Sequence, residues 1–256
     1  MSIKTDISNG LMTITIDRPD RKNSFTNAMY TALADAFAEA THNRAVKVVL
    51  VKGHDSCFSA GNDLGDFVNN PPRNLDAPVF CFLRTIAACP KPIVAQVQGV
   101  AVGIGTTLLL HCDLVYAADN ARFSVPFVKL GLCPEAASSV LLPQLAGYQK
   151  AAELLLIGDL ISAAKASECG FVTDVLPADQ LDAHVHSQIA KMMALPAVSL
   201  TTTKRLMKGH QKALLSEKMA EEGEMFMAML LQPPAKEAFA AFAEKRTPDF
   251  RQFETR

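Results

Sequence analysis

Gln98-Gly99-Val100-Ala101-Val102-Gly103-Ile104-Gly105-Thr106-Thr107-Leu108 is the stretch around which this chain is organised. The apolar run Ile93-Val94-Ala95-Gln96-Val97 before it reads as a buried strand, and Leu108-Leu109-Leu110-His111-Cys112 after it reads as a continuing helix. Glycines at a strand-to-helix turn let backbone pass close to another surface, and they leave N–H groups exposed at the helix start. The turn reads as one wall of an active site.

Outward from that turn, strands and helices alternate. Ile3, Thr5 and Ile7, then Met12, Ile14 and Ile16, form two alternating runs across Asn9-Gly10, the pattern of a type I′ hairpin. Thr26 or Asn27 can cap a helix with Met29, Leu33, Phe37 and Ala40 on one face. Val46 to Val51, broken only by Lys47, suits a strand buried on both faces. Gly53 to Phe67 reads as loop, Pro78 to Ala88 as helix, Asp113 to Ala117 as strand and Arg122 to Ser124 as a short strand. From Glu135 on the chain reads mostly helical: Ala151 to Ile157, Ser162 to Cys169, Leu181 to Met193, a long stretch from Ser199 to Leu231, and Lys236 to Glu244 after Pro233-Pro234. Phe171 to Val175 is the last strand. This alternation predicts a parallel sheet with helical crossovers. Residues 1–195 form the expected core domain and 196–256 a helical region. Met219, Phe226, Met229, Leu230, Phe239 and Phe242 give that region apolar surface to pack on the body or on a neighbouring subunit.

Composition narrows the function classes. The 256 residues carry a formal net charge of −1, which argues against bulk electrostatic binding of nucleic acid. Six scattered cysteines with no Cys-x-x-Cys pair read as reduced core residues. No run reaches membrane-spanning length, the first residues show no signal pattern, and Glu254-Thr255-Arg256 is not a peroxisomal tripeptide, so a cytoplasmic protein is expected.

A second turn, Phe58-Ser59-Ala60-Gly61-Asn62-Asp63-Leu64, offers backbone N–H groups as the first does. Two converging N–H donors make an oxyanion hole, in which one donor is worth about 3 kcal/mol of transition-state stabilisation. The plainer alternative is that these glycines only serve tight turns. His184 and His186, two apart in a helix, face different sides and make no metal pair. Ser138-Ser139 lacks a Gly-x-Ser-x-Gly elbow, which disfavours a serine hydrolase. Asp63 reads as a cap, and His111 as a helix-end residue.

Phe58 to Leu64, Lys91-Pro92-Ile93-Val94-Ala95-Gln96-Val97-Gln98-Gly99 running into Gly103-Ile104-Gly105, and Cys112-Asp113-Leu114-Val115-Tyr116-Ala117 together resemble the enoyl-CoA hydratase/isomerase (crotonase) superfamily. The match runs in order from about Ile3 to Val175, and Phe242 to Phe250 resembles the family's usual ending. The resemblance implies an α/β crotonase (ClpP-like) spiral of ββα units with a C-terminal helical trimerisation region. It implies a homotrimer or dimer of trimers, an acyl-CoA substrate, and no metal or resident cofactor. It places the oxyanion-hole N–H groups at Ala60 and Ile104, and lines the coenzyme A site with Ala60, Gly61, Asn62, Asp63 and Leu64. Arg21, Lys22, Lys245 and Arg246 could meet its phosphates, the last two from a neighbouring subunit, or be ordinary solvated charges, and Phe80, on one helix face with Leu83 and Ile86, could line the acyl pocket or pack in the core.

Hydratases of this family carry two glutamates, at positions that match Thr107 and Phe127 here. Neither can act as a general base near neutral pH. Glu135, in Leu130-Gly131-Leu132-Cys133-Pro134-Glu135-Ala136-Ala137, instead resembles the sole catalytic base of Δ3,Δ2-enoyl-CoA isomerases. The expected reaction is isomerisation of 3-enoyl-CoA to trans-2-enoyl-CoA. A hydratase, an isomerase of ring-containing acyl-CoA and a non-catalytic acyl-CoA-binding protein are the alternatives. An apolar surround would raise the Glu135 pKa and a following helix N-terminus would lower it, and the sequence does not rank the two.

Overall fold

The computed structural model describes residues 2–54 and 56–253, so Glu254, Thr255 and Arg256 lie outside the described residues. The chain begins with β1 (Ile3–Ser8), β2 (Leu11–Ile16) and α1 (Asn27–His42). Next come β3 (Val48–Lys52), β4 (Cys57–Ser59), α2 (Leu64–Asn69) and α3 (Pro78–Ala88). β5 (Ile93–Val97), β6 (Val100–Val102) and the single turn α4 (Ile104–Thr107) follow, and then β7 (Leu114–Ala118) and β8 (Arg122–Ser124). Beyond them lie α5 (Ser138–Ala146), α6 (Tyr148–Ala152), β9 (Ile161–Ser162), α7 (Ala163–Glu168) and β10 (Asp174–Leu176). Four helices close the chain: α8 (Ala178–Met193), α9 (Ala197–Lys208), α10 (Lys212–Leu230) and α11 (Pro233–Glu244).

The strands make two sheets. Six lie in the order β1-β2-β3-β5-β7-β10 and four in the order β4-β6-β8-β9. Strand pairs β3–β4, β5–β6 and β7–β8 each lay one strand in the large sheet and the next in the small one. That stepping is the implied ββα spiral. β2, β3, β5, β7 and β10 are parallel neighbours, as right-handed crossovers require, and β1 joins β2 antiparallel through Asn9 (φ +49°) and Gly10 (φ +86°).

The predicted two-sided burial of the third strand is observed. Val49 and Val51 face the main core between the sheets, while Val48 and Leu50 meet Leu181, Val185 and Ile189 of α8 on the other face. Thr26 is the cap of α1, accepting from the Met29 N–H, and Met29, Leu33, Phe37 and Ala40 are all buried.

Several expectations change. The Gly53–Phe67 loop contains both β4 and α2. The Ala151–Ile157 helix widens to a π-helical turn from Glu153, and the long Ser199–Leu231 helix is broken at Gly209–Gln211. Pro233 and Pro234 start α11 rather than precede it, because a helix's first N–H groups need no intrahelical acceptor. The helical region also joins the main core: Phe226, Leu230 and Ala235 belong to the same buried cluster as the strands. Lys204 of α9 is buried against Asp113 at 2.6 Å, tying that helix to the start of β7. No described helix is long and apolar enough to cross a membrane.

Candidate active site

The turns after β4 and β6 are pressed together. Gly61 has φ +87°, and a Cβ there would lie 2.7 Å from the Val102 carbonyl oxygen. A Cβ on Gly105 would lie 2.7 Å from the Ser59 carbonyl oxygen. Only glycine permits this approach on both sides of the seam. Ser59 locks its own side: its hydroxyl donates to the Asn23 carbonyl at 2.9 Å and accepts from the Gly61 N–H at 3.1 Å.

A census of N–H groups along the seam corrects one expectation. The Ala60 N–H donates to the Lys22 carbonyl at 2.9 Å and is not available to a ligand. Phe25 N–H donates to the Gly61 carbonyl and Asp63 N–H to the Phe25 carbonyl, both at 2.8 Å. That parallel bridge turns the N–H of the intervening residue, Asn62, away from Phe25. Across the seam Gly103 N–H donates to Ser124, and Thr106 and Thr107 donate back to Gly103. Among the described residues no acceptor meets the N–H of Asn62 or of Ile104. Asn62 and Ile104 are therefore free donors, and Ala60 is not.

Both residues border a cleft of about 590 Å³. Arg21, Lys22, Ala60, Gly61, Asp63 and Leu64 border it as well, as expected of them. Asp63 also serves the backbone, accepting from Arg18 Nη1 at 2.8 Å and capping α2 through the Asp66 N–H at 3.1 Å. Two expected residues are elsewhere. Phe80 is buried against α10, 3.1 Å from where a Cβ on Gly223 would stand, so it fills core rather than cleft. Lys245 ends α11 in a left-handed conformation (φ +57°) and does not border the cleft of its own chain. In their place Phe67, Phe127, Phe226, Phe239 and Phe242 give the cleft an aromatic wall. Phe226 stands edge-on to Phe67 and Phe127, with ring centroids at 6.0 and 6.4 Å. The C-terminal phenylalanines were legible only as apolar surface, because nothing in their spacing says which face they cover.

Glu135 is buried, with 5% of its surface exposed, and is not itself among the residues that line the cleft. The Thr107 hydroxyl, three residues beyond Ile104, donates to its Oε1. Burial pushes the Glu135 carboxyl up to about 8, the Thr107 hydrogen bond works against it, and the Glu222 carboxylate adds to it. The net direction is upward, as an apolar surround would drive it, and the opposing contribution comes from Thr107 rather than from a helix N-terminus. Phe127 is buried, and no group of His, Cys, Asp and Glu that could hold a metal ion occurs among the described residues.

The stacked ββα spiral and a seam with two unpaired N–H donors define a class of acyl-binding fold. The chain belongs to the enoyl-CoA hydratase/isomerase family, whose sequence pattern matches residues 6–253. It is similar to the 1,2-epoxyphenylacetyl-CoA isomerase of Escherichia coli K12, 33% identical over 256 residues that cover 97% of each chain. It is also similar to the enoyl-CoA delta isomerase 2 of Rattus norvegicus, 35% identical over 93% of this chain and 62% of that one. Among solved structures, an enoyl-CoA hydratase/isomerase from Pseudoalteromonas atlantica T6c superimposes with a TM-score of 0.93 at 40% identity, covering 98% of this chain and 100% of the other.

Proposed function

We propose that this protein is a Δ3,Δ2-enoyl-CoA isomerase, converting 3-enoyl-CoA to trans-2-enoyl-CoA with Glu135 as its proton shuttle. The observation that carries this is the buried Glu135 carboxylate hydrogen-bonded to Thr107, with Thr and Phe at the two hydratase positions. A base whose pKa lies near the working pH both takes and returns a proton efficiently. Glu135 removes a C2 proton, and the C2–H electrons move into the C1–C2 bond as the thioester oxygen becomes anionic. The Asn62 and Ile104 N–H groups hold that oxygen. The carboxylic acid then delivers the proton to C4, the C2–C3 double bond forms and the thioester carbonyl is restored. One carboxylate serves both ends, no water is added, and no metal or redox group takes part.

Arg21 and Lys22 at the cleft edge suit the phosphates of coenzyme A, which belongs to the substrate. Exposed Val198, Leu206, Met207 and Leu231 on the C-terminal helices suit packing between subunits of a homotrimer or dimer of trimers. We place the enzyme in the cytoplasm, in acyl-CoA breakdown. The five cleft phenylalanines favour one second reading, isomerisation of an acyl-CoA with a ring in its acyl group. The test is a panel of straight-chain and ring-containing 3-enoyl thioesters, with water addition to crotonyl-CoA as the contrast, for wild type and Glu135→Gln. The expected result is a double-bond shift in wild type and none in the variant, with acyl-CoA still bound. Wild-type turnover in the variant, or hydration far above isomerisation, overturns the assignment.

A further inference from the structure

The segment that carries Glu135 is gripped from two sides. Ala136 and Ala137 follow it with φ of +62° and +55°, the left-handed region that side chains disfavour. Two adjacent non-glycine residues in that region are strained and persist only where the surroundings over-determine them. Here the peptide group that joins them has a buried partner on its carbonyl and another on its N–H. His111 Nε2 lies 2.9 Å from the Ala136 carbonyl. Burial pushes that imidazole down to about 4, so it is neutral at pH 7 and donates the bond. From the other side Glu222 of α10, itself buried, accepts from the Ala137 N–H at 2.6 Å, the Ser139 N–H at 3.0 Å and the Ser139 hydroxyl. Burial raises the Glu222 carboxyl above its ordinary value, while the hydrogen bonds from Ser139 and Ala137 and the Lys218 charge work against that rise.

We infer that Glu222 is the positioning residue for Glu135: its carboxylate clamps the Ala137–Ser139 backbone, aims the Glu135 side chain and sets the charge beside it. The inference rests on Glu135 being the base. It gives the C-terminal region a part in the chemistry, since α10 supplies the clamp. Glu222 acts in two ways that separate experimentally. By geometry it holds the left-handed pair, and a misplaced base lowers kcat without weakening substrate binding. By charge it disfavours ionisation of Glu135. The other titratable groups at this pair are Tyr30 of α1 and Cys133 before Glu135, both kept neutral by burial, neutral His111, and Lys218 one turn back on α10, which is paired with Glu221.

The experiment is the kcat–pH profile, KM and melting temperature of Glu222→Gln, Glu222→Asp and Ser139→Ala, with Glu135→Gln as reference. In Glu222→Gln we expect the high-pH plateau of kcat to fall about tenfold or more, KM to stay within about twofold, and the rising limb to move to lower pH. Glu222→Asp keeps the charge and should return the limb toward wild type. Ser139→Ala removes one donor from a half-buried position and should lower kcat a few-fold at constant KM. A lower melting temperature with wild-type limb and per-molecule kcat would mark Glu222 as merely structural and overturn the inference. If Glu222→Gln does not fold, Ser139→Ala decides: wild-type kcat there is refutation. An inactive Glu135→Gln beside wild-type Glu222 variants sinks the positioning role alone, whereas an active Glu135→Gln sinks the catalytic reading and this inference with it.

Discussion

Replacing Glu135 by Gln should make the protein more stable as it destroys the reaction, and the gain should grow as pH rises from about 4.5 to about 8. An unperturbed glutamate titrates near 4.5, whereas folded Glu135 titrates at about 8. Between those values the folded chain holds a proton that the unfolded chain has released. The stability from this site is therefore greatest at low pH, falls as pH rises from about 4.5, and levels off above about 8. At ~1.4 kcal/mol per pKa unit the span amounts to roughly 5 kcal/mol, a ceiling that relaxation of the buried site reduces. Glutamine keeps the shape and an oxygen to accept from Thr107, but never ionises. The assay is urea unfolding of both proteins at one concentration, from pH 4.5 to 9.5. Titrating groups that do not interact with Glu135 are common to the two proteins and cancel in their difference. The curves should meet near pH 4.5 and diverge by several kcal/mol at pH 9, with the variant the more stable. Parallel curves, or a wild type that gains on the variant with rising pH, would refute the claim that Glu135 carries its charge at the expense of burial.

The same site predicts that isomerase kcat rises with pH through about 8, by roughly tenfold from pH 7 to pH 9, because the base works deprotonated. Thr107→Val removes the hydrogen bond that favours the carboxylate, so that limb should move to higher pH with KM unchanged; an unmoved limb would exclude Thr107 from the proton's environment. Gly61→Ala puts a methyl group 2.7 Å from the Val102 oxygen at a left-handed position and should part the seam, costing about 1–3 kcal/mol in unfolding measurements and most of the activity. Asp113→Asn leaves Lys204 buried beside a neutral partner and should destabilise the chain by roughly 3 kcal/mol, read by unfolding and by faster amide exchange in α9.

Residues whose roles depend on their near neighbours were the legible ones. Asn9-Gly10 specified its hairpin and Thr26 its cap, and the apolar run at Val46–Val51 announced a strand covered on both faces. Glu135 stood out because the hydratase positions hold Thr107 and Phe127. Phe80 stayed open between pocket and core because its helix is apolar on more than one face, so the face turned to Gly223 could not be told from one turned to a ligand. Ser199 to Leu231 read as one helix because Gly209 is tolerated inside a helical pattern, and only docking of α9 on Asp113 and of α10 on the core breaks it there.

The opening stretch, Gln98 to Leu108, shows where sequence stops and tertiary structure begins. By itself the sequence determined that glycines line a strand-to-helix turn, that a second such turn lies at Ser59–Gly61, and that the chain resembles a thioester-binding family. Those are properties of local spacing and residue type. Only the folded chain decided which N–H groups are free, because that depends on partners far along the sequence: Lys22 occupies Ala60, and Phe25 turns Asn62 outward. Only the fold decided how Glu135 is held, since Thr107 and His111 from one turn and Glu222 from α10 converge on Glu135 and the two residues after it. A hydrogen bond between distant segments leaves no periodicity in the chain, and the burial that raises the Glu135 pKa exists only once those segments have closed around it.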